Sequence, residues 1–149
     1  MKKEEEMSER KEKSQFSGKE GFEPYTFQVT PELNEQYLYA LQDYHPRYLE
    51  ETDSGPPWVH PGLLLNQSNL TRSPSFGLKG GMAGVHAKEE VEFLNPGRVG
   101  KHFRVTWKVV EEYEKRDKLY TVIEALIVDE DGREILRRKT HGVIAKGQK

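Results

Sequence analysis

Ala40-Leu41-Gln42-Asp43-Tyr44-His45-Pro46-Arg47-Tyr48-Leu49-Glu50 closes an apolar stripe and opens a polar turn. Within that turn stand a carboxylate, an imidazole, a guanidinium and two phenols. Upstream, Leu33, Tyr37 and Leu41 recur every four residues, with Leu38 and Ala40 beside them, and this predicts a helix of about three turns. Thr30-Pro31-Glu32 supplies its start: Thr can cap, Pro belongs in the first turn, and Glu suits the positive end of the helix dipole. His45 precedes Pro46 and is pushed out of the helical region, so the helix ends near Gln42-Asp43.

Working outward, Tyr25-Thr26-Phe27-Gln28-Val29 alternates as a short strand does. A second helix is predicted from about Pro61 to Leu70, carrying Leu63, Leu64 and Leu65, with Ser73-Pro74 as its stop. Gly77, Gly80, Gly81 and Gly84 mark a flexible connection. Beyond it the period is two. Val85, Ala87, Val91 and Phe93 alternate with His86, Lys88, Glu90 and Glu92, and Phe103, Val105, Trp107 and Val109 alternate with charged or polar residues. Tyr120 to Val128 is the more continuous apolar run of a central strand. Asn95-Pro96-Gly97 is a turn, Asp131-Gly132 a hairpin signal, and Ile135 to Ile144 a closing strand. A strand, two helices and four long antiparallel strands make an α+β arrangement, one sheet packed on one main helix, here taken as the first.

Composition excludes much. The chain has 149 residues, 34% of them hydrophobic, a formal net charge of −2 and no cysteine. That length fits one domain. Without cysteine there are no disulfides, thiolate metal sites or cysteine nucleophiles. The near-zero charge gives no global field for nucleic acid or membrane, and no apolar run reaches the roughly 18 residues of a membrane span. No apolar stretch follows Met1-Lys2-Lys3-Glu4-Glu5-Glu6, so it does not read as a secretory signal and a cytoplasmic protein is expected. The first 20 residues carry 12 charges, six of each sign, and cannot bury enough surface to offset their ordering entropy. Residues 1–21 are therefore expected to form a disordered charged tail, 22–146 the folded domain and 147–149 a short tail. The folded part is lean in apolar residues, which fits burial completed by a second subunit.

Several local patterns fail as chemistry. The glycine series from Gly77 lacks the Gly-Lys-Ser/Thr ending of a phosphate cradle. Placing Gly132 at the sixth position of a calcium loop puts Ile127 first and Arg138 last, neither of them an acidic ligand. His45, His60, His86, His102 and His141 include no pair at metal-ligand spacing, so no metal is expected. His86 and His102 read as solvated, and nothing beside His141 in sequence suggests chemistry. Alternation splits Arg137-Arg138-Lys139 across both faces of a strand, so it forms no basic patch, and no nucleic-acid surface is expected.

The stretch from Gln42 to Glu50 resembles the signature of the MaoC-like, hot-dog-fold (R)-specific enoyl-CoA hydratases, Gly-Asp-x-Asn-Pro-x-His-x-Asp. Val59-His60-Pro61-Gly62-Leu63-Leu64 resembles the family's His-Gly-apolar start of a second helix, with Pro61 inserted. Val85-His86-Ala87 through Gly100 resembles its strand and its Phe-x-x-Pro-x-x-x-Gly turn. The resemblance runs from about Phe22 to Ala145. It implies a single hot-dog fold, an antiparallel sheet wrapped around a central helix, and syn addition of water to a 2-enoyl thioester with no cofactor. In that chemistry an Asp and a His activate one water, and an amide N–H at a helix N-terminus polarises the thioester carbonyl.

Carried over by position, the Asp is Asp43 and the Pro is Pro46, but His45 replaces the Asn and Tyr48 replaces the catalytic His. A phenol of reference pKa about 10 cannot take a proton near neutrality as an imidazole of about 6.5 does. The dyad is therefore broken, as in the non-catalytic halves of heterodimeric and double-hot-dog dehydratases, including the fatty-acid-synthase-like dehydratase N-terminal domain. Pro57-Trp58-Val59-His60-Pro61 is similar to that branch. The resemblance implies an acyl-CoA- or acyl-carrier-binding subunit with Asp43, Tyr48, Trp58, His60 and Gly62 around the ligand. Its partner would be a catalytic hot-dog subunit, with a homodimer as the other arrangement. An autonomous hydratase or thioesterase with His45 or His60 as a rearranged base, and a non-enzymatic acyl-CoA-binding module, are the alternatives. Arg98, Lys101 and Arg104 are the cations that could meet a phosphate.

Overall fold

Among the described residues three helices begin with the same device, a capping side chain followed by proline. The computed structural model describes residues 22–70 and 82–146. Helix α1 (Pro31–Leu41) starts at Thr30, whose hydroxyl accepts from Leu33 N–H. Single-turn α2 (Pro46–Leu49) starts at His45, and α3 (Pro61–Leu70) follows His60. In both of the latter the imidazole Nδ1 accepts the N–H of the residue after proline, from Arg47 at 3.2 Å and from Gly62 at 3.0 Å. Proline at the first helical position fixes φ and lacks the donor that would go unsatisfied there.

The five strands are β1 (Tyr25–Gln28), β2 (Met82–Phe93), β3 (His102–Lys115), β4 (Lys118–Asp129) and β5 (Glu134–Lys146). They form one antiparallel sheet in the order β1-β3-β4-β5-β2. The strand at Tyr25, the helix from Pro31 to Leu41, the second helix and the four long strands stand where the periodicities put them. The charged tail, Ser73-Pro74 and Gly77, Gly80 and Gly81 lie outside the described residues. Gly84 belongs to β2 rather than to a connection.

One expectation is corrected. The helix that fills the sheet is α3, not α1. Leu63 and Leu64 join Phe103, Val105, Ala125, Ile127 and Leu136 in the core. Buried Arg138 on β5 reaches across to α3, with Nη1 donating to Ser68 Oγ at 3.1 Å and Leu65 O at 3.4 Å, and its Nε sits 2.6 Å from Glu89 on β2. By contrast α1 buries Leu38 and only partly Leu33 and Tyr37, while Leu41 is half exposed. The reason is rotation. Each four-residue step turns the helix about 40° beyond a full circle, so the stripe leaves the core by its third member. A helix enclosed on several sides needs no single stripe, and its Leu63-Leu64 run serves two walls at once.

Two further local features were absent from the periodic reading. A bulge at Ala87 breaks the alternation of β2, so Val85 and Val91 stand on opposite faces. The β3–β4 hairpin turns on Arg116 and Asp117, both left-handed, with φ of 51° and 59°. That is the two-residue turn whose hand matches the strand twist.

The loop before β3 is fixed by close packing at Gly97. A Cβ there would lie 2.8 Å from the ring of Phe103, which is fully buried and has nowhere to move. Gly97→Ala is accordingly expected to lower stability by about 1–3 kcal/mol through overpacking, measured by urea unfolding.

Candidate functional site

The end of α1 aims Asp43. Gln42 adopts a left-handed φ of 56°, and Asp43 N–H donates back to Leu38 O at 3.1 Å, so the helix closes with a wound-back cap. Asp43 Oδ1 then accepts His45 N–H at 3.1 Å. Oδ2 faces His60 Nε2 at 3.4 Å, a carboxylate–imidazole contact longer than a strong hydrogen bond. Because Nδ1 of His60 accepts from Gly62, the neutral ring carries its proton on Nε2, the nitrogen turned to Asp43. The ring lies between Tyr37 and Tyr48, with centroids 5.4 and 5.0 Å away. At Gly62 a Cβ would meet the Tyr37 hydroxyl at 2.6 Å, so the close approach of α1 to the start of α3 requires glycine.

Tyr48 is held from beneath. Asn34, buried on α1, donates Nδ2–H to Tyr48 O at 2.8 Å and thereby ties α2 to α1. Trp58 N–H donates to Arg47 O, and the Arg98 guanidinium covers one face of the Trp58 ring at 3.4 Å. Arg98 also donates to Pro56 O and to Ser54 O and Oγ. Lys101 pairs with Asp131, which raises the pKa of its ammonium group. Both cations are thus committed within the protein, and Arg104 is exposed on β3.

Tyr48 also borders a cavity of about 250 Å³. Its walls include Tyr48, Trp58, Pro61, Leu64, Phe93 and Leu136, with Arg47 beside them. The candidate residues therefore fall into two groups. Asp43, His60 and Gly62 are brought together; Trp58 lines the cavity, and Tyr48 borders both. The His45 imidazole is exposed; it caps Arg47 and meets the Tyr48 ring edge-on, with centroids 6.0 Å apart. Sequence reasoning missed Asn34 and Tyr37, which look like polar and core members of a surface helix. It also missed the reason for two His-Pro steps, although their repetition at 45–46 and 60–61 was the visible signal.

A second titratable cluster lies away from this site. His141, buried on β5, places Nε2 2.8 Å from Glu90 Oε2 on β2 and Nδ1 3.0 Å from the Tyr113 hydroxyl on β3. Tyr113 stacks on Tyr120 at 5.1 Å. So His141 does have chemistry beside it, supplied by neighbouring strands rather than neighbouring residues. The His141 hydrogen bond, followed by Lys88, holds the Glu90 carboxyl below its ordinary value of 4.5. Among the described residues no three His, Asp or Glu side chains are grouped to hold a metal, and no helix is long and apolar enough to cross a membrane.

The solved structures that this chain resembles share its architecture. A MaoC-like dehydratase from Rhodospirillum rubrum superposes with a TM-score of 0.65 at 16% identity, over 91% of this chain and 99% of that one. The (R)-hydratase from A. caviae involved in PHA biosynthesis gives 0.64 at 17% identity, over 85% and 96%. The HadBC (3R-hydroxyacyl-ACP dehydratase) complex from Mycobacterium tuberculosis gives 0.61 at 16%, over 89% and 99%. This chain has the hot-dog fold. No protein-family model and no curated protein sequence matches it. In hot-dog terms α3 is the enclosed helix, and the Asp43–His60 contact sits at its entrance.

Two measurements check these contacts. His60→Ala removes the α3 cap and is expected to lower stability by about 1 kcal/mol, whereas His60→Asn, which can still cap, loses less; urea unfolding of both variants decides it. For Glu90 the sign follows from its depressed pKa. The pair stabilises the fold above the ordinary carboxylate range, and that contribution is lost as pH falls through the lowered value. Glu90→Gln should be less stable than wild type at pH 7, with the gap in urea midpoint closing below about pH 4.

Proposed function

We propose that this chain is the acyl-thioester-binding subunit of a hot-dog (R)-specific hydratase/dehydratase and that it works with a second subunit carrying the catalytic histidine. The carrying observation is that the Asp43 carboxylate, the His60 ring and the Gly62 amide are already engaged. Asp43 divides its two oxygens between His45 N–H and His60. The Gly62 N–H, the amide at the place where the resemblance puts the carbonyl-polarising donor, is given to His60 Nδ1. Tyr48 fills the position of the missing base with a phenol whose ring is tilted against that of His60. What remains open is the apolar cavity beside Trp58, which suits the chain of a thioester rather than its reacting carbon. The HadBC likeness supports a partnership of two hot-dog chains. The same proposal takes residues 22–146 as the binding unit, 1–21 and 147–149 as tails, and the cytoplasm as its compartment.

A second reading, an autonomous hydratase or thioesterase, is favoured by one contact. His60 and Asp43 form a carboxylate–imidazole pair that could serve as a rearranged base. Two assays separate the readings. The purified chain, given crotonyl-CoA, is expected to leave the enoyl-thioester absorbance unchanged and to release no free thiol, while a hot-dog partner recovered by co-purification from native lysate restores hydration. Robust hydration by the chain alone, abolished by Asp43→Asn or His60→Asn, contradicts the non-catalytic assignment; thiol release with the same dependence points to a thioesterase. Binding of crotonyl-CoA without turnover in every partner mixture leaves a non-enzymatic binding module.

A further inference from the structure

We propose that the cavity lined by Tyr48 also takes a free fatty-acid anion, with Arg47 holding the carboxylate and the Trp58 side of the cavity holding the tail. This goes beyond the thioester reading and rests on it only for the tail. Arg47 is the single charged side chain among the residues lining the cavity. Other cations nearby are spoken for: Arg98 is stacked on Trp58 and bonded to the 54–56 loop, Arg137 pairs with Glu92 and Glu134, and Arg138 with Glu89. Among the described residues no carboxylate pairs with Arg47, whose guanidinium lies 5.4 Å over the Tyr48 ring. A guanidinium fork matches a carboxylate in shape and charge.

The position of this cation selects the ligand. An acyl thioester is neutral at its carbonyl, and the phosphates of coenzyme A lie at the far end of a long arm. A cation lining an apolar cavity is matched to a charge one bond from the chain, as in a free acid. The cavity of about 250 Å³ is small, and octanoate, a medium-length acid, is the probe. A free acid bound there occupies the space of the thioester's chain and excludes it. The subunit would thereby respond to the ratio of free acid to thioester.

The test uses Trp58 fluorescence in a Trp107→Phe background, where Trp58 is the only tryptophan of the two. Octanoate, octanol, octanoyl-CoA and CoA are titrated in turn, each with Arg47 present and as Arg47→Gln. Octanoate is expected to bind more tightly than octanol, to lose about fivefold in affinity in Arg47→Gln while octanol is unchanged, and to be displaced by octanoyl-CoA. Equal binding of octanoate and octanol, or an Arg47→Gln loss that falls on CoA and octanoyl-CoA alone, overturns the proposal; the latter would assign Arg47 to a phosphate. Octanoyl-CoA binding without octanoate binding sinks this inference and spares the thioester reading. Octanoate binding without octanoyl-CoA binding does the reverse.

Discussion

The Nδ1 atom of His60 has one lone pair, and Gly62 N–H takes it. Much of the site depends on that single hydrogen bond. It starts α3 at Pro61, which sets the angle at which Leu63 and Leu64 enter the core. It fixes the tautomer, so that Nε2–H is the group turned to Asp43. It also consumes the amide donor that an exposed helix N-terminus would otherwise offer to a carbonyl oxygen. One atom therefore serves the fold and, by the same bond, removes a chemical option.

The two groups of residues that meet at Tyr48 obey different physics. Toward Asp43 the groups are polar, mutually satisfied and crowded by Tyr37, leaving little for a ligand to displace. Toward Trp58 the walls are apolar and open, and the binding term available is burial of apolar surface. A fold shared with hydratases does not by itself carry their reaction, since function resides in the site built on it. Here the open volume lies beside Trp58, and Asp43, His60 and the Gly62 amide are turned toward one another.

How much of this was legible in the sequence follows from the range of each interaction. The strands were readable because alternation is a local property, and β3, β4 and β5 each bury one face. The helix limits at Pro31, Leu41 and Pro61 were readable because caps and prolines act within one turn. Which helix the sheet encloses was not, since Leu33, Tyr37 and Leu41 present a cleaner stripe than the helix that is actually buried. The Ala87 bulge and the Arg116-Asp117 turn were invisible for a related reason. Neither carries the glycine or asparagine that usually announces positive φ or a break in pairing, and the strand partners impose both. Tyr48 in place of a histidine was plain in the sequence, whereas the approach of His60 to Asp43 spans 17 residues and needs the α1–α3 packing to bring it about. The Glu90–His141–Tyr113 cluster draws on three strands and could be found only once their register was known.

The central claim is that the Gly62 amide is bound to His60 and is not offered to a thioester. Nitrogen-15 NMR of the histidine ring and of the Gly62 amide tests it directly. The account predicts a His60 ring protonated on Nε2 alone, with an acceptor-type Nδ1, and a Gly62 amide resonance that stays in place as crotonyl-CoA is added. A ring protonated on Nδ1, or a Gly62 resonance that moves on titration with that thioester, would contradict it.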